Sequence, residues 1–68
     1  MNKTEQRKVT GVFLRFRRVS QLQTRKEVAE AIDCTEKEIT AMENGEIVAP
    51  GLLERYANLV KVEPKYVK

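Results

Sequence analysis

Two helix-start signals, at Thr24 and Thr35, constrain most strongly what this chain can fold into. Thr24 is followed three residues later by Glu27, and Thr35 in the same way by Glu38. In such a capping box the hydroxyl accepts from a first-turn amide and the glutamate accepts from the threonine's own N–H. Two helices this short cannot bury their apolar faces alone, so the sequence predicts a compact helical bundle.

The residues between and after the caps carry helical periodicity. The asparagine–glycine pair at 44–45 predicts the left-handed stop that ends a helix. Residues at helical spacing place one apolar face on each helix: Val28, Ala29 and Ile32 on the first, Ile39 and Met42 on the second.

The pattern at 24–45 resembles the helix-turn-helix of the lambda-repressor-like family of DNA-binding domains, the Cro/cI-type or XRE family. The positions that match the family signature are Thr24, Val28, Ala29, Ile32, Thr35, Ile39, Met42, Glu43 and Gly45. The likeness extends to Phe16-Arg17 upstream, if the connecting loop carries one extra residue, and to 52–62 downstream. It implies an all-α, five-helix lambda-repressor-like bundle with the helix-turn-helix at about 24–44.

A reading of the whole chain predicts a single domain over 1–68 with helices at about 5–20, 51–59 and 64–67. The second and third helices are those of the motif at about 24–44. In the first helix, spacings of three and four predict an apolar stripe of Val9, Val12, Phe13, Phe16 and Val19 facing the core. Gly11 weakens the early part, so residues 1–8 also fit a mobile basic arm. The predicted core contains Phe13, Phe16, Val28, Ile32, Ile39, Met42, Leu53 and Leu59.

Composition narrows the function classes. The 68 residues contain no histidine and one cysteine, so we expect no disulfide, no metal site and no cofactor. Without a nucleophile–base pair or a phosphate loop, an enzyme is set aside. No apolar run reaches the length of a membrane span, and we expect a cytoplasmic protein without a membrane partner.

Charge is unevenly distributed along the chain. Residues 1–26 carry eight basic side chains against one acidic, whereas 27–46 carry seven acidic against one basic. Docking on DNA phosphates needs basic groups at the contact face. An acidic helix-turn-helix is therefore an unusual balance for a DNA reader.

Several acidic and turn residues have structural explanations. The resemblance implies that Glu43 pairs with Arg17 of the first helix. Asp33 replaces the usual turn glycine and tolerates the left-handed conformation, and Cys34 is interpreted as a small buried hydrophobe. Glu36 leaves two readings open: stabilisation of the helix N-terminus, or acceptance of a hydrogen bond from a cytosine amine.

The resemblance also implies which residues would contact DNA. The exposed face of the second motif helix supplies the candidates for base contacts, Glu36, Lys37, Thr40, Ala41 and Asn44. The candidates for phosphate contacts are Arg18, Arg25, Lys26 and Thr35. Arg25 stands where the family usually has a glutamine that binds a phosphate.

The leading hypothesis is a sequence-specific transcriptional regulator, a repressor of phage, plasmid or mobile-element type. It would bind double-stranded DNA as a homodimer on a two-fold symmetric operator. The alternative is a protein-interaction module of the same fold, such as an antirepressor or co-regulator, whose acidic face contacts another regulatory protein. The candidates for a self-association surface are Tyr56, Val60, Val62, Tyr66 and Val67.

Overall fold

The computed structural model describes residues 2–62. Within this range the chain is all-helical, with α1 at Lys3–Ser20, α2 at Arg25–Ile32, α3 at Glu36–Glu43 and α4 at Leu52–Val60. The all-α prediction is confirmed, but four helices stand where five were predicted. The fifth, at 64–67, lies outside the described residues.

The first helix begins earlier than predicted. Asn2 caps it by accepting a 2.8 Å hydrogen bond from the Glu5 amide. Residues 3–8 form the first turns of α1, in place of the mobile basic arm that 1–8 also fitted. Arg7 Nε donates to the Gly45 carbonyl at 3.3 Å, which ties these turns to the end of α3.

Helix α1 buries a different face from the one predicted. Thr10, Gly11, Leu14 and Arg18 face the bundle, whereas Phe16 is 66% exposed. The prediction that Phe13 and Phe16 belong to the core is wrong. Apolar periodicity does not indicate the buried face, because that face combines one large apolar residue with a glycine, a threonine and an arginine.

Gly11 explains why α1 can approach α3 so closely. A Cβ built at this position would lie 2.6 Å from the Met42 carbonyl oxygen and still closer to that of Glu43. Gly45, with φ of 79°, meets α1 in the same way, since its Cβ would lie 2.8 Å from the Lys8 Cα. The backbone of α1 and the end of α3 therefore approach closely at two points, and at each point one of the two residues is a glycine.

The remaining core residues come from the other three helices. Val28, Ile32, Ile39 and Met42 are buried as predicted, and Leu53 and Leu59 pack partly buried at the core's edge. Tyr56, Val60 and Val62 are also buried, so the prediction that they form a self-association surface is wrong. The other two members of that set, Tyr66 and Val67, lie outside the described residues.

Candidate nucleic-acid interface

Both predicted capping boxes are present. Thr24 Oγ1 accepts from the Glu27 amide at 3.1 Å, and Glu27 Oε1 accepts from the Thr24 amide at 2.9 Å. Thr35 and Glu38 repeat the arrangement at 3.1 and 3.0 Å. The hydrogen bonds from Thr24 lower the pKa of Glu27, because they favour its charged form.

A three-residue turn joins α2 to α3. Asp33 adopts the predicted left-handed conformation with φ of 59° and ψ of 58°. The Cys34 amide then donates to the Ala29 carbonyl at 2.9 Å, which closes the end of α2. Cys34 is half-buried against the core, and burial raises the pKa of its thiol.

The start of α3 is set by Thr35 and its end by Gly45. Gly45 donates to the Met42 carbonyl and Glu46 to that of Ala41, at 3.1 and 2.9 Å. This pair of bonds is the Schellman arrangement that terminates helices. Both ends of α3 are therefore fixed by local bonds.

The predicted base-contacting residues share the face of α3 that points away from the core. Glu36, Lys37 and Asn44 are exposed, while Thr40 and Ala41 are half-buried. The opposite face carries the buried residues Ile39, Met42 and Glu43. The structure therefore brings all five candidates together on one accessible strip.

Glu43 joins three elements beneath that strip. Its carboxylate accepts from Arg18 Nε at 2.7 Å, from Arg25 Nε at 3.1 Å and from the Tyr56 hydroxyl at 2.6 Å. The predicted pairing with Arg17 is wrong: Arg17 Nε donates instead to the Val60 carbonyl at 3.0 Å. One position along a helix turns a side chain by about 100°, which moves Arg17 toward α4 and leaves Arg18 facing Glu43.

The environment of Glu43 affects the charge of its neighbours. Burial alone would raise the pKa of Glu43, but hydrogen bonds from Arg18 and Tyr56 outweigh it and keep that pKa below its usual range. The Glu43 hydrogen bond raises the pKa of Arg18. Burial, followed by the bond to Glu43, raises the pKa of Tyr56. At neutral pH the cluster therefore contains a carboxylate, two guanidinium groups and a neutral phenol.

The predicted phosphate-contacting residues divide into two groups. Arg18 is buried, and its guanidinium group donates to Glu43 and to the Gln23 carbonyl, so it is not among the proposed phosphate ligands. Arg25 keeps 42% of its side chain exposed although its Nε bonds Glu43. Lys26 and Thr35 are exposed at the starts of α2 and α3.

A shallow groove beside the strip contains residues that the sequence reasoning did not assign to the site. Arg15 and Phe16 of α1 line it together with Arg25, Glu43 and Asn44. Arg15 therefore adds a basic group next to the end of α3. The position of Arg15 follows from the rotation of α1 about its axis. That rotation is defined by the inward-facing residues Leu14 and Arg18.

Across residues 2–62, no group of three cysteine, aspartate or glutamate side chains is placed to hold a metal ion. Over the same residues, no helix is both long and apolar enough to cross a membrane. Comparison with family models, with curated proteins and with solved structures found no match.

Proposed function

We propose that this protein is a sequence-specific DNA-binding regulator of the lambda-repressor-like type that acts in the cytoplasm. Helix α3 would enter the major groove, and a homodimer would read a two-fold symmetric operator. The observation that carries the proposal is the accessible strip on α3, where Glu36, Lys37, Thr40, Ala41 and Asn44 stand together.

The rigidity of the strip supports this proposal. Capping at both ends and the Glu43 cluster fix α3 against α1, α2 and α4. A reading helix needs such support, because direct readout depends on side chains that meet base edges in a fixed register. Lys37 can donate to guanine O6 and N7, Asn44 can pair with adenine, and the Ala41 methyl can contact thymine.

The neighbouring helix supplies groups for the DNA backbone. Arg25 and Lys26 stand at the first turn of α2, and Thr35 opens α3. Contacts of this kind orient a protein on the duplex without reading sequence. Repression is the expected outcome of occupying an operator, and it belongs to the proposal.

The direct experiment selects bound duplexes from a random pool at near-physiological salt. A two-fold symmetric consensus with half-sites about one helical turn apart is expected. Lys37→Ala should then relax the preference at one operator position, whereas Lys61→Ala, at the end of α4, should not. If Lys37→Ala lowered the affinity for specific and random duplexes equally, Lys37 would contact a phosphate rather than a base.

A second candidate is a protein-interaction module that uses the acidic surface of α2 and α3. Glu30, Asp33 and Glu36 are all exposed there, which is the observation in its favour. Glu36→Gln separates the two functions. If α3 binds DNA, the change should raise non-specific affinity by relieving repulsion from phosphates, and blur any preference for a C·G pair. If the surface binds a basic protein, DNA binding should be negligible before and after the change.

A further inference from the structure

One exposed face of α1 carries an apolar stripe that runs along the shallow groove beside the strip on α3, with no covering element among residues 2–62. Val12 is 66% exposed, Phe16 66% and Val19 53%. Val9, half-buried, continues the line toward the N-terminus. We call Val9, Val12, Phe16 and Val19 the α1 stripe.

The spacing of the α1 stripe is that of a helix–helix seam. Its members follow one another at intervals of three, four and three residues. This is the a–d–a–d order by which two helices pack side chains into each other's gaps.

The size of the surface suits a small interface. Three members of the α1 stripe (Val12, Phe16 and Val19) and two residues flanking it (Phe13 and Leu22) are between 41% and 89% exposed. Since an aromatic side chain alone can bury 150–250 Å², the set offers on the order of 500 Å² per copy. Two copies together then bury about 1,000 Å², near the lower limit for a specific association.

Charge along the two edges of the stripe decides how a second copy would align. In heptad terms one edge holds Lys8 and Arg15, and the other holds Gln6, Phe13 and Ser20. Antiparallel pairing would bring the basic edges of the two copies together, which repels. Parallel pairing sets Lys8 against Phe13 of the second copy and Arg15 against its Ser20, without opposing like charges.

We propose that a second copy of this chain docks on the α1 stripe, so that two α1 helices pack in parallel about a two-fold axis. The interface uses none of the five residues of the reading strip on α3, but Val12, Phe16 and Val19 line the groove beside that strip. The inference does not require that α3 binds DNA. The modest area is typical of a weak, reversible association.

Sedimentation equilibrium of the full chain, without DNA, tests the interface. Mass should rise toward the dimer with concentration, and Phe16→Ser should raise the dissociation constant at least about tenfold, since buried aromatic anchors dominate small interfaces. Ile47→Ser is the matched control, because Ile47 is 79% exposed and lies outside the stripe. It should leave the dissociation constant unchanged.

Disulfide trapping tests the orientation in a Cys34→Ser background. Val12→Cys should cross-link to itself, because equivalent d positions of parallel helices meet within disulfide range. Ile47→Cys should not. Cross-linking only in a mixture of Val12→Cys and Phe16→Cys chains would show an antiparallel pair and overturn the parallel arrangement.

A wild-type chain that stays monomeric over the whole concentration range would overturn the proposal.

Discussion

Glu43 is the residue on which the arrangement of the helices most depends. Its side chain is 2% exposed and accepts hydrogen bonds from α1, α2 and α4. That it would pair with a first-helix arginine could be predicted from the motif. The sequence does not indicate which arginine makes this pair, nor the additional bonds from Arg25 and Tyr56. These depend on the rotation of α1 and on how closely α4 approaches.

The lowered pKa of Glu43 predicts how stability responds to acid. A carboxylate whose pKa is lower in the folded state stabilises the fold above its unfolded pKa, here about 4.5, and loses that contribution as pH falls through the folded pKa. We expect the free energy of unfolding, measured in urea, to decline below pH 4.5. Glu43→Gln should cost about 3 kcal/mol at neutral pH, because it leaves Arg18 buried without its counter-charge.

The same variant should also flatten the acid-induced decline, since the group that titrates has been removed. Glu54→Gln, at an exposed carboxylate of α4, is the control and should keep the wild-type pH dependence. A decline of wild-type steepness in Glu43→Gln would place the titrating group elsewhere, for example at Glu27.

At the scale of the helices, α2 and α3 were predicted closely and α1 was not. The boundaries of α2 and α3 follow from capping boxes, which act within four residues and need no tertiary context. Helix α1 was predicted as a helix, but its buried face was misassigned. Apolar periodicity predicts which face of a helix is buried. In α1 it predicts the wrong face, because the residues that pack against the bundle include Gly11 and Arg18.

The packing of α1 on α3 leads to a prediction at Gly11. In an isolated helix, glycine to alanine stabilises by about 0.5–1 kcal/mol. Here the new methyl group would clash with the carbonyl oxygens of Met42 and Glu43. These are backbone atoms of α3, so no side-chain rotation can relieve the clash. We expect Gly11→Ala to destabilise by about 1–3 kcal/mol in thermal or urea unfolding.

Gln6→Ala is the control for helix propensity, since Gln6 is exposed on the same helix and should change stability by less than about 0.5 kcal/mol. The sign of the Gly11 effect is the informative result. A more stable Gly11→Ala protein would mean that α1 lies further from α3 than the structure places it.

At the scale of the whole molecule, the all-α class could be predicted because every local signal agreed. The proposed reading strip could also be predicted, because it lies on the side of α3 opposite the buried apolar face, and the capping residues define where α3 begins and ends. The neighbourhood of the strip could not. Arg15 reaches it only through the orientation of α1, and Arg18 is removed from it by the same orientation.

The positions of the basic residues predict the salt dependence of DNA binding. Residues 2–62 contain eleven lysines and arginines, but four stand at or beside the reading strip: Arg15, Arg25, Lys26 and Lys37. Each neutralised phosphate contributes about −0.9 to the slope of log K against log salt concentration, so we expect about −4 per protomer. Engagement of all eleven would bring the slope near −10.

Filter-binding or fluorescence titrations at several salt concentrations measure that slope. Arg25→Gln should reduce its magnitude by about one per protomer, since it removes a charge at the strip while keeping a donor for Glu43. Lys61→Gln, at the far end of α4, should leave it unchanged, because an exposed lysine away from the contact releases no counterions. If Lys61→Gln lowered the slope and Arg25→Gln did not, DNA would lie against another face of the protein. A wild-type slope near zero would remove DNA as the partner and leave the acidic surface of α2 and α3 as the stronger candidate.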